Sequence, residues 1–95
     1  MKICEAINDR KLLSFYYDGY SRKVEPHTAG TDKKGHDALR AYQVSGGSES
    51  GEYVGWKMFH VSEMQNIIVL HEQFNGPRPK YKRNDIGFSH IRCQL

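Results

Sequence analysis

The stretch "ALRAYQV" (residues 38–44) has the pattern of a β-strand and includes the β-forming side chain of Tyr42. Successive side chains of a strand point to opposite faces of the sheet. Leu39 and Ala41 therefore share one face, which we predict to be core. Arg40 and Tyr42 share the other face, which is either solvated surface or a place for a base, a phosphate or a partner.

A hairpin is predicted before this stretch. Residues 12–17 are a run of β-formers, "DGY" at 18–20 is a turn signal, and residues 21–28 form the second strand. Pro26 has no backbone N–H to donate to a neighbouring strand. We therefore expect it near a sheet edge or a strand end.

The remaining elements are short and separated by turn signals. Ile3, Ala6 and Ile7 share one face of a predicted helix at 2–9. The later predicted elements are strands at 38–45, 56–61, 66–72 and 87–95, with one helical turn at 62–64. Because four apolar residues are consecutive in "NIIVLHE" (66–72), we expect both faces of that strand to be covered. This order predicts a mainly β fold, a small antiparallel barrel of five to six strands after a short helix.

The length and the apolar content limit the chain to a single domain. It has 95 residues, of which 38% are hydrophobic, so we expect one core within residues 1–95. No segment approaches the roughly 20 apolar residues of a membrane span, and no signal-length apolar region occurs near the N-terminus. We therefore expect a cytoplasmic protein with no membrane partner. Cys4 and Cys93 either form one bridge or, as we favour for the cytosol, remain reduced thiols.

The positive charge is concentrated near the C-terminus. The net charge is +3, and residues 74–95 hold five cations against Asp85, so that stretch is +4 and the rest is −1. Within it, residues 74–87 are predicted to form a basic extended loop before the last strand. The loop either binds a polyanion or is a solubilising, partly ordered segment.

Arginine and lysine next to aromatic side chains are suited to a nucleotide-like ligand, because the guanidinium group fits phosphate and an aromatic ring stacks on a base. The segment 78–83, "RPKYKR", interleaves both types. The alternative is that it wraps a neighbouring subunit. The candidate ligand-binding residues are Arg22, Lys23, Arg40, Tyr42, Lys80, Tyr81, Lys82 and Arg83.

Catalytic, metal and cofactor motifs are not apparent in the sequence. The five histidines lack the close spacing of common zinc motifs, and His60 and His71, expected on adjacent strands, would be too few ligands. Nothing places a histidine beside Cys4 or Cys93, and the glycines at 46–55 match no phosphate-binding loop. We therefore predict a non-enzyme with no metal site and no cofactor.

Several segments, in order, resemble the WYL domain, an Sm-like (SH3-like) β-barrel module of bacteria and phages. The resemblance covers about residues 3–72. It begins with the apolar helix face formed by Ile3, Ala6 and Ile7. It continues through "LLSFYYDG" (12–19), "RKVEP" (22–26), "GHDALRAYQV" (35–44) and "MFHVSEM" (58–64).

Three positions depart from the family pattern. The triplet that names the family corresponds to Asp37, Ala38 and Leu39, so only the leucine is retained, and Glu63 stands where the family has an arginine. WYL domains are regarded as ligand- or nucleic-acid-sensing modules of transcription regulators and phage-defence proteins. The resemblance therefore implies a stand-alone, divergent sensing domain.

The function expected from these features is non-catalytic binding of nucleic acid or a nucleotide-like anion, through phosphate neutralisation and base stacking without sequence readout. Single-stranded nucleic acid or a nucleotide would be the ligand. The alternative is a protein-interaction or dimerisation module, accessory to a regulatory or phage-defence protein, because a short barrel exposes strand edges that recruit partners.

Overall fold

The computed structural model describes residues 2–95. Its elements are α1 (Lys2–Asp9), β1 (Lys11–Tyr17), β2 (Tyr20–Asp32), β3 (Asp37–Gly46), β4 (Gly55–His60), a 3₁₀ turn (Val61–Glu63), β5 (Gln65–Gln73) and β6 (Phe88–Gln94). All strand pairs are antiparallel, and the six strands form one sheet. The predicted mainly β fold of six strands with a short N-terminal helix is confirmed.

The 13-residue β2 organises the sheet. The strands follow the order β4-β3-β2-β1-β5, and β6 pairs separately with β2. The first part of β2 pairs with β1, its last part pairs with β6, and β3 runs along most of it. The predicted hairpin is confirmed, since Tyr17 pairs with Tyr20 across the turn between β1 and β2.

The proline in β2 lies inside the sheet rather than at the expected edge or strand end. Pro26 is opposite Ala41 on β3, and the next pair is Thr28 with Arg40, so His27 is an extra residue at a shift in register. A β-bulge is the third place where a sheet accepts proline, because the ladder is already interrupted there. The bulge also orients the side chain of His27.

The approach of β6 to β2 requires glycine at one position. A Cβ atom on Gly30 would overlap the carbonyl oxygen of His90 and stand 2.9 Å from the Cα atom of Ile91. Any side chain at this position would therefore separate the two strands.

The core lies between α1 and one face of the sheet. Ile3, Ala6 and Ile7 are buried on the helix, as their spacing predicted. Leu39 and Ala41 are fully buried on β3, which confirms the predicted core face of the opening stretch. Burial of this apolar face is the main source of stability for so short a helix.

The two cysteines form a disulfide bond, so the preference for reduced thiols was wrong. Cys4 on α1 and Cys93 on β6 have Cα atoms 5.7 Å apart and are separated by 89 positions in sequence. The bond ties the first element to the last one. While it is intact, neither sulfur is a free nucleophile.

The strand β5 is more exposed than its sequence predicted. It ends the order of the sheet, and Ile68 is 55% exposed despite the apolar run around it. Within residues 2–95, no helix has the length and hydrophobicity needed to cross a bilayer.

Candidate functional site

The segment between β5 and β6, residues 74–87, covers the face of β2–β4 that is opposite the core. Arg78 donates from Nε and Nη2 to the two carboxylate oxygens of Glu25, at 2.7 and 2.9 Å. Its guanidinium carbon lies 4.5 Å from the centre of the Tyr42 ring. The predicted basic loop is thus attached to the sheet by its first arginine.

His27 is the buried centre of this contact. Its side chain is completely inaccessible, and its ring lies 4.7 Å from that of Trp56, 5.5 Å from that of Phe74 and 5.2 Å from that of Tyr81. Nε2 accepts the backbone N–H of Arg78 at 3.1 Å, so Nδ1 carries the proton that it donates to the Glu25 carbonyl at 2.8 Å. Burial lowers the pKa of His27 below its ordinary value. The neutral imidazole is therefore part of the structure that holds the segment.

A cleft of about 240 Å³ opens between the 74–87 segment and strands β3 and β4. It is lined by Arg40, Trp56, Lys80, Tyr81, Lys82, Asp85 and Ile86. The lining has three cations against one carboxylate. The cleft is therefore positively charged and has aromatic walls, which suits an anion with a planar group attached.

Arg40 is oriented by a carboxylate of the segment. Its Nε donates to Asp85 Oδ2 at 2.9 Å, and Asp85 Oδ1 accepts the backbone N–H of Gly87 at 2.8 Å. Among residues 2–95, Asp85 is the one carboxylate that forms a salt bridge with Arg40. Because this contact uses Nε, the two terminal nitrogens are the part of the guanidinium group that is available to a ligand.

The aromatic walls are held by hydrogen bonds to the backbone. Trp56 Nε1 donates to the carbonyl of Pro79 at 3.0 Å, and the Tyr81 hydroxyl donates to the carbonyl of Leu95 at 3.0 Å. The two rings are nearly parallel, with an angle of 20° and centres 6.2 Å apart. The orientation of these walls is set before any ligand arrives, which reduces the entropy cost of binding.

The two lysines of the cleft have no anionic partner in the described chain. Lys80 and Lys82 are exposed, and neither forms a salt bridge among residues 2–95. Lys80 has a positive φ of 72°, so it lies at a tight turn of the backbone. Both ammonium groups are therefore free to neutralise a bound anion.

The other predicted residues lie outside the lining of this cleft. Arg22 is only 4% exposed and donates to Gln43 Oε1 and to the Tyr17 carbonyl, both at 3.2 Å. Lys23 forms a 2.7 Å salt bridge with Glu72.

Tyr42 and Arg83 also have protein partners. The ring of Tyr42 contacts the Arg78 guanidinium group and meets the edge of Trp56, with ring centres 5.6 Å apart. Arg83 donates from Nε to the Leu95 carbonyl at 3.1 Å. The structure thus brings together Arg40, Lys80, Tyr81 and Lys82.

Sequence reasoning missed several residues near these sites. Trp56 was not among the predicted ligand-binding residues, and Asp85 was counted only as a charge. His60 and His71, expected on neighbouring strands, lie on β4 and β5 at opposite ends of the strand order. The structure instead brings His60 close to His36 and Asp32. The four-residue spacing between Asp32 and His36, across a turn, was the one sequence feature that could have indicated this cluster.

Comparison of the chain with protein-family models, curated proteins and solved structures finds no match.

Proposed function

We propose that this protein is a non-catalytic module that binds the phosphate of a nucleotide unit, either free or within single-stranded nucleic acid. The observation that carries the proposal is the cleft itself. Four of the eight residues predicted from sequence, Arg40, Lys80, Tyr81 and Lys82, line the same cavity although two segments of the chain supply them.

Phosphate neutralisation is the first part of the proposed mechanism. The terminal nitrogens of Arg40 match two phosphate oxygens, and the ammonium groups of Lys80 and Lys82 add charge without a fixed geometry. Asp85 keeps the guanidinium group of Arg40 in place. Its negative charge repels an anion that approaches from the side of the cleft lined by Asp85. A single phosphate is the anion that this arrangement fits.

Stacking at the mouth of the cleft is the second part. A cavity of about 240 Å³ is smaller than the roughly 300–1,000 Å³ of typical small-molecule pockets. It has room for a phosphate and part of a sugar, so the base would lie at the mouth. Trp56 and Tyr81 offer aromatic faces, and Ile86, which is 85% exposed, offers an apolar contact. No contact of this kind reads base identity.

The resemblance to WYL domains supports the same proposal, because they are regarded as ligand- or nucleic-acid-sensing modules. On this proposal the chain is a divergent member that senses a nucleotide or a single strand for a regulatory or defence protein. The Glu63 substitution argues that its anion site is not built on the usual arginine of the family.

Fluorescence anisotropy tests the proposal, using labelled single-stranded RNA, single-stranded DNA and duplex DNA at low and physiological salt. We expect the protein to bind the single strands, and we expect added salt to lower the affinity. The double variant Lys80→Ala/Lys82→Ala should weaken binding and reduce the slope of log affinity against log salt by about 1.4, since each phosphate contact on a single strand contributes about 0.7.

The control removes two positive charges elsewhere. Lys33→Ala/Lys34→Ala acts on the exposed turn between β2 and β3 and should leave the affinity nearly unchanged. If both double variants lower the affinity equally, the effect comes from net charge alone, and a specific site in the cleft is contradicted. Titration with a nucleoside monophosphate distinguishes a free nucleotide from a polymer.

A second candidate function is protein interaction. The strands β4 and β5 end the order of the sheet, and the exposed Ile68 on β5 is typical of an edge that pairs with another chain. Lack of binding to every nucleic acid and nucleotide in the experiment above would favour this second function, either as a homodimer or with another protein.

A further inference from the structure

Two histidines and an aspartate meet at the end of the sheet, away from the cleft lining. Asp32 ends β2, His36 lies in the turn that follows, and His60 ends β4. One ligand atom from each of them lies within 4.8 Å of the other two. The imidazole ring centres of His36 and His60 are 4.7 Å apart. Because β3 pairs with both β2 and β4, the fold brings together residues that are distant in sequence.

The Asp32 carboxylate is held so that one oxygen faces both histidines. Its Oδ1 accepts the backbone N–H groups of Lys34 at 2.9 Å and His36 at 2.8 Å, and these bonds stabilise the turn. Its Oδ2 lies 3.4 Å from His36 Nδ1 and 3.7 Å from His60 Nε2.

The spacing matches the geometry of a tetrahedral metal ion. Zinc binds imidazole nitrogen and carboxylate oxygen at about 2.0–2.2 Å, which puts neighbouring ligand atoms roughly 3.3 Å apart. The 3.4 and 3.7 Å separations between Asp32 Oδ2 and the histidine nitrogens are close to that value. The third separation, between the two histidine nitrogens, is within 4.8 Å.

An outer carboxylate supports one of the ligands. Glu63 Oε2 lies 3.1 Å from His60 Nδ1, so that nitrogen is the donor to the carboxylate and Nε2 is directed toward Asp32. A carboxylate behind a histidine is the usual second-layer arrangement of protein metal sites, because it selects the tautomer and makes the ligating nitrogen more basic. Glu63 follows His60 by three residues in the 3₁₀ turn.

We propose that Asp32 Oδ2, His36 Nδ1 and His60 Nε2 bind a divalent transition-metal ion, with zinc as the expected occupant and water completing its coordination. Imidazole and carboxylate are ligands suited to zinc, and three protein ligands with one open position is a known zinc arrangement. The ion would link the turn between β2 and β3 to the end of β4. This site is independent of the proposed nucleotide cleft.

Isothermal titration calorimetry with zinc chloride tests the site on the full chain, after dialysis against a chelator. We expect one equivalent of zinc to bind. Asp32→Asn, His36→Ala and His60→Ala should each weaken binding by more than tenfold, and Glu63→Gln by about tenfold because it acts through His60. The controls His71→Ala and His90→Ala remove exposed histidines that lie outside the cluster and should leave the affinity unchanged.

Thermal unfolding gives a second readout. Zinc should raise the melting temperature of the wild type and leave that of His60→Ala unchanged, because only a protein that binds the ion when folded is stabilised by it. Absence of stoichiometric zinc binding would overturn the proposal and reduce the cluster to an ordinary ion pair. Equal losses in the His71 and His90 controls would overturn it as well.

Discussion

His27 shows how one residue combines bulge, burial and hydrogen bonding. The register shift beside Pro26 directs its ring to the face covered by the 74–87 segment, where three aromatic rings surround it. Both ring nitrogens have partners in the neutral form only, because Nε2 must accept the N–H of Arg78. Protonation would place a donor against a donor. The residue therefore contributes stability as a neutral group.

We expect this burial to make stability depend on pH. The pKa of His27 in the folded chain is lowered below the unfolded value of about 6.5, mainly by burial. Its contribution is therefore complete above about pH 6.5. It is lost as the pH falls toward the folded-state pKa, by at most about 1.4 kcal/mol per pH unit, because the unfolded chain takes up the proton first.

Urea unfolding at a series of pH values between 7.5 and 4.5 measures this effect. The comparison is with His27→Gln, which keeps a polar side chain and cannot titrate, so the difference between the two profiles reports His27 alone. The wild type should lose more stability than the variant as the pH falls. Parallel pH profiles for the two proteins would show that His27 contributes nothing.

The 74–87 segment is the element that forms a cleft over one face of the sheet. Arg78 holds its beginning on β2 and β3, Trp56 holds Pro79, and Arg40 holds Asp85 near its end. Each of these contacts joins the segment to a strand far away in sequence. The cleft exists only because the segment is held over the sheet, so the shape of the cleft depends on the stability of these contacts.

We expect Arg78→Ala to lower the free energy of unfolding by about 2 kcal/mol, because it leaves the Glu25 carboxylate buried without its partner. This value is below the cost of breaking a fully buried pair, since the Arg78 side chain is 39% exposed. Arg78→Lys should recover less than half, because lysine cannot donate two parallel bonds or lie flat on Tyr42.

Urea denaturation of these variants is compared with that of Arg83→Ala. Arg83 is an exposed arginine of the same segment, and within residues 2–95 it donates only to the Leu95 carbonyl, so its loss should cost under about 0.5 kcal/mol. A similar cost for Arg78→Ala and Arg83→Ala would mean that the ion pair with Glu25 does not hold the segment.

The disulfide bond joins the two ends of the molecule. α1 packs on one face of the sheet and β6 pairs with β2, and Cys4–Cys93 connects them covalently. Such bonds persist mainly in oxidising surroundings, whereas cytosolic reductants keep most thiols reduced. The fold places the two cysteines close enough to bond, and the redox conditions decide whether the bond persists.

Cys4→Ser/Cys93→Ser should lower the free energy of unfolding by about 4 kcal/mol, because the bond closes a loop of 89 residues and restricts the unfolded chain. Denaturation with and without dithiothreitol measures the effect. Reductant should destabilise the wild type and leave the double variant unchanged. Alkylation of the folded wild type without reductant should modify no thiol, and two modified cysteines would contradict the bond.

Local patterns were sufficient for the elements and for the core face. The spacing of Ile3, Ala6 and Ile7 predicted the helix, the turn at Asp18 and Gly19 predicted the β1–β2 hairpin, and alternation along β3 predicted that Leu39 would be buried. These features depend on backbone geometry and side-chain period, which act over a few residues. Pattern alone failed for β5, where an apolar run is equally compatible with a covered strand and an edge strand.

The cleft and the histidine cluster were decided by tertiary contacts. Composition indicated Arg40 and the 78–83 segment as candidates. They line one cleft because Arg78 forms an ion pair with Glu25, which is 53 positions away in sequence. Asp32 and His60 lie close together because β3 pairs with both of their strands. Arg22 is buried by residues from other parts of the chain. Strand order and loop placement follow from contacts between distant parts of the chain, and no short stretch of this sequence encodes them.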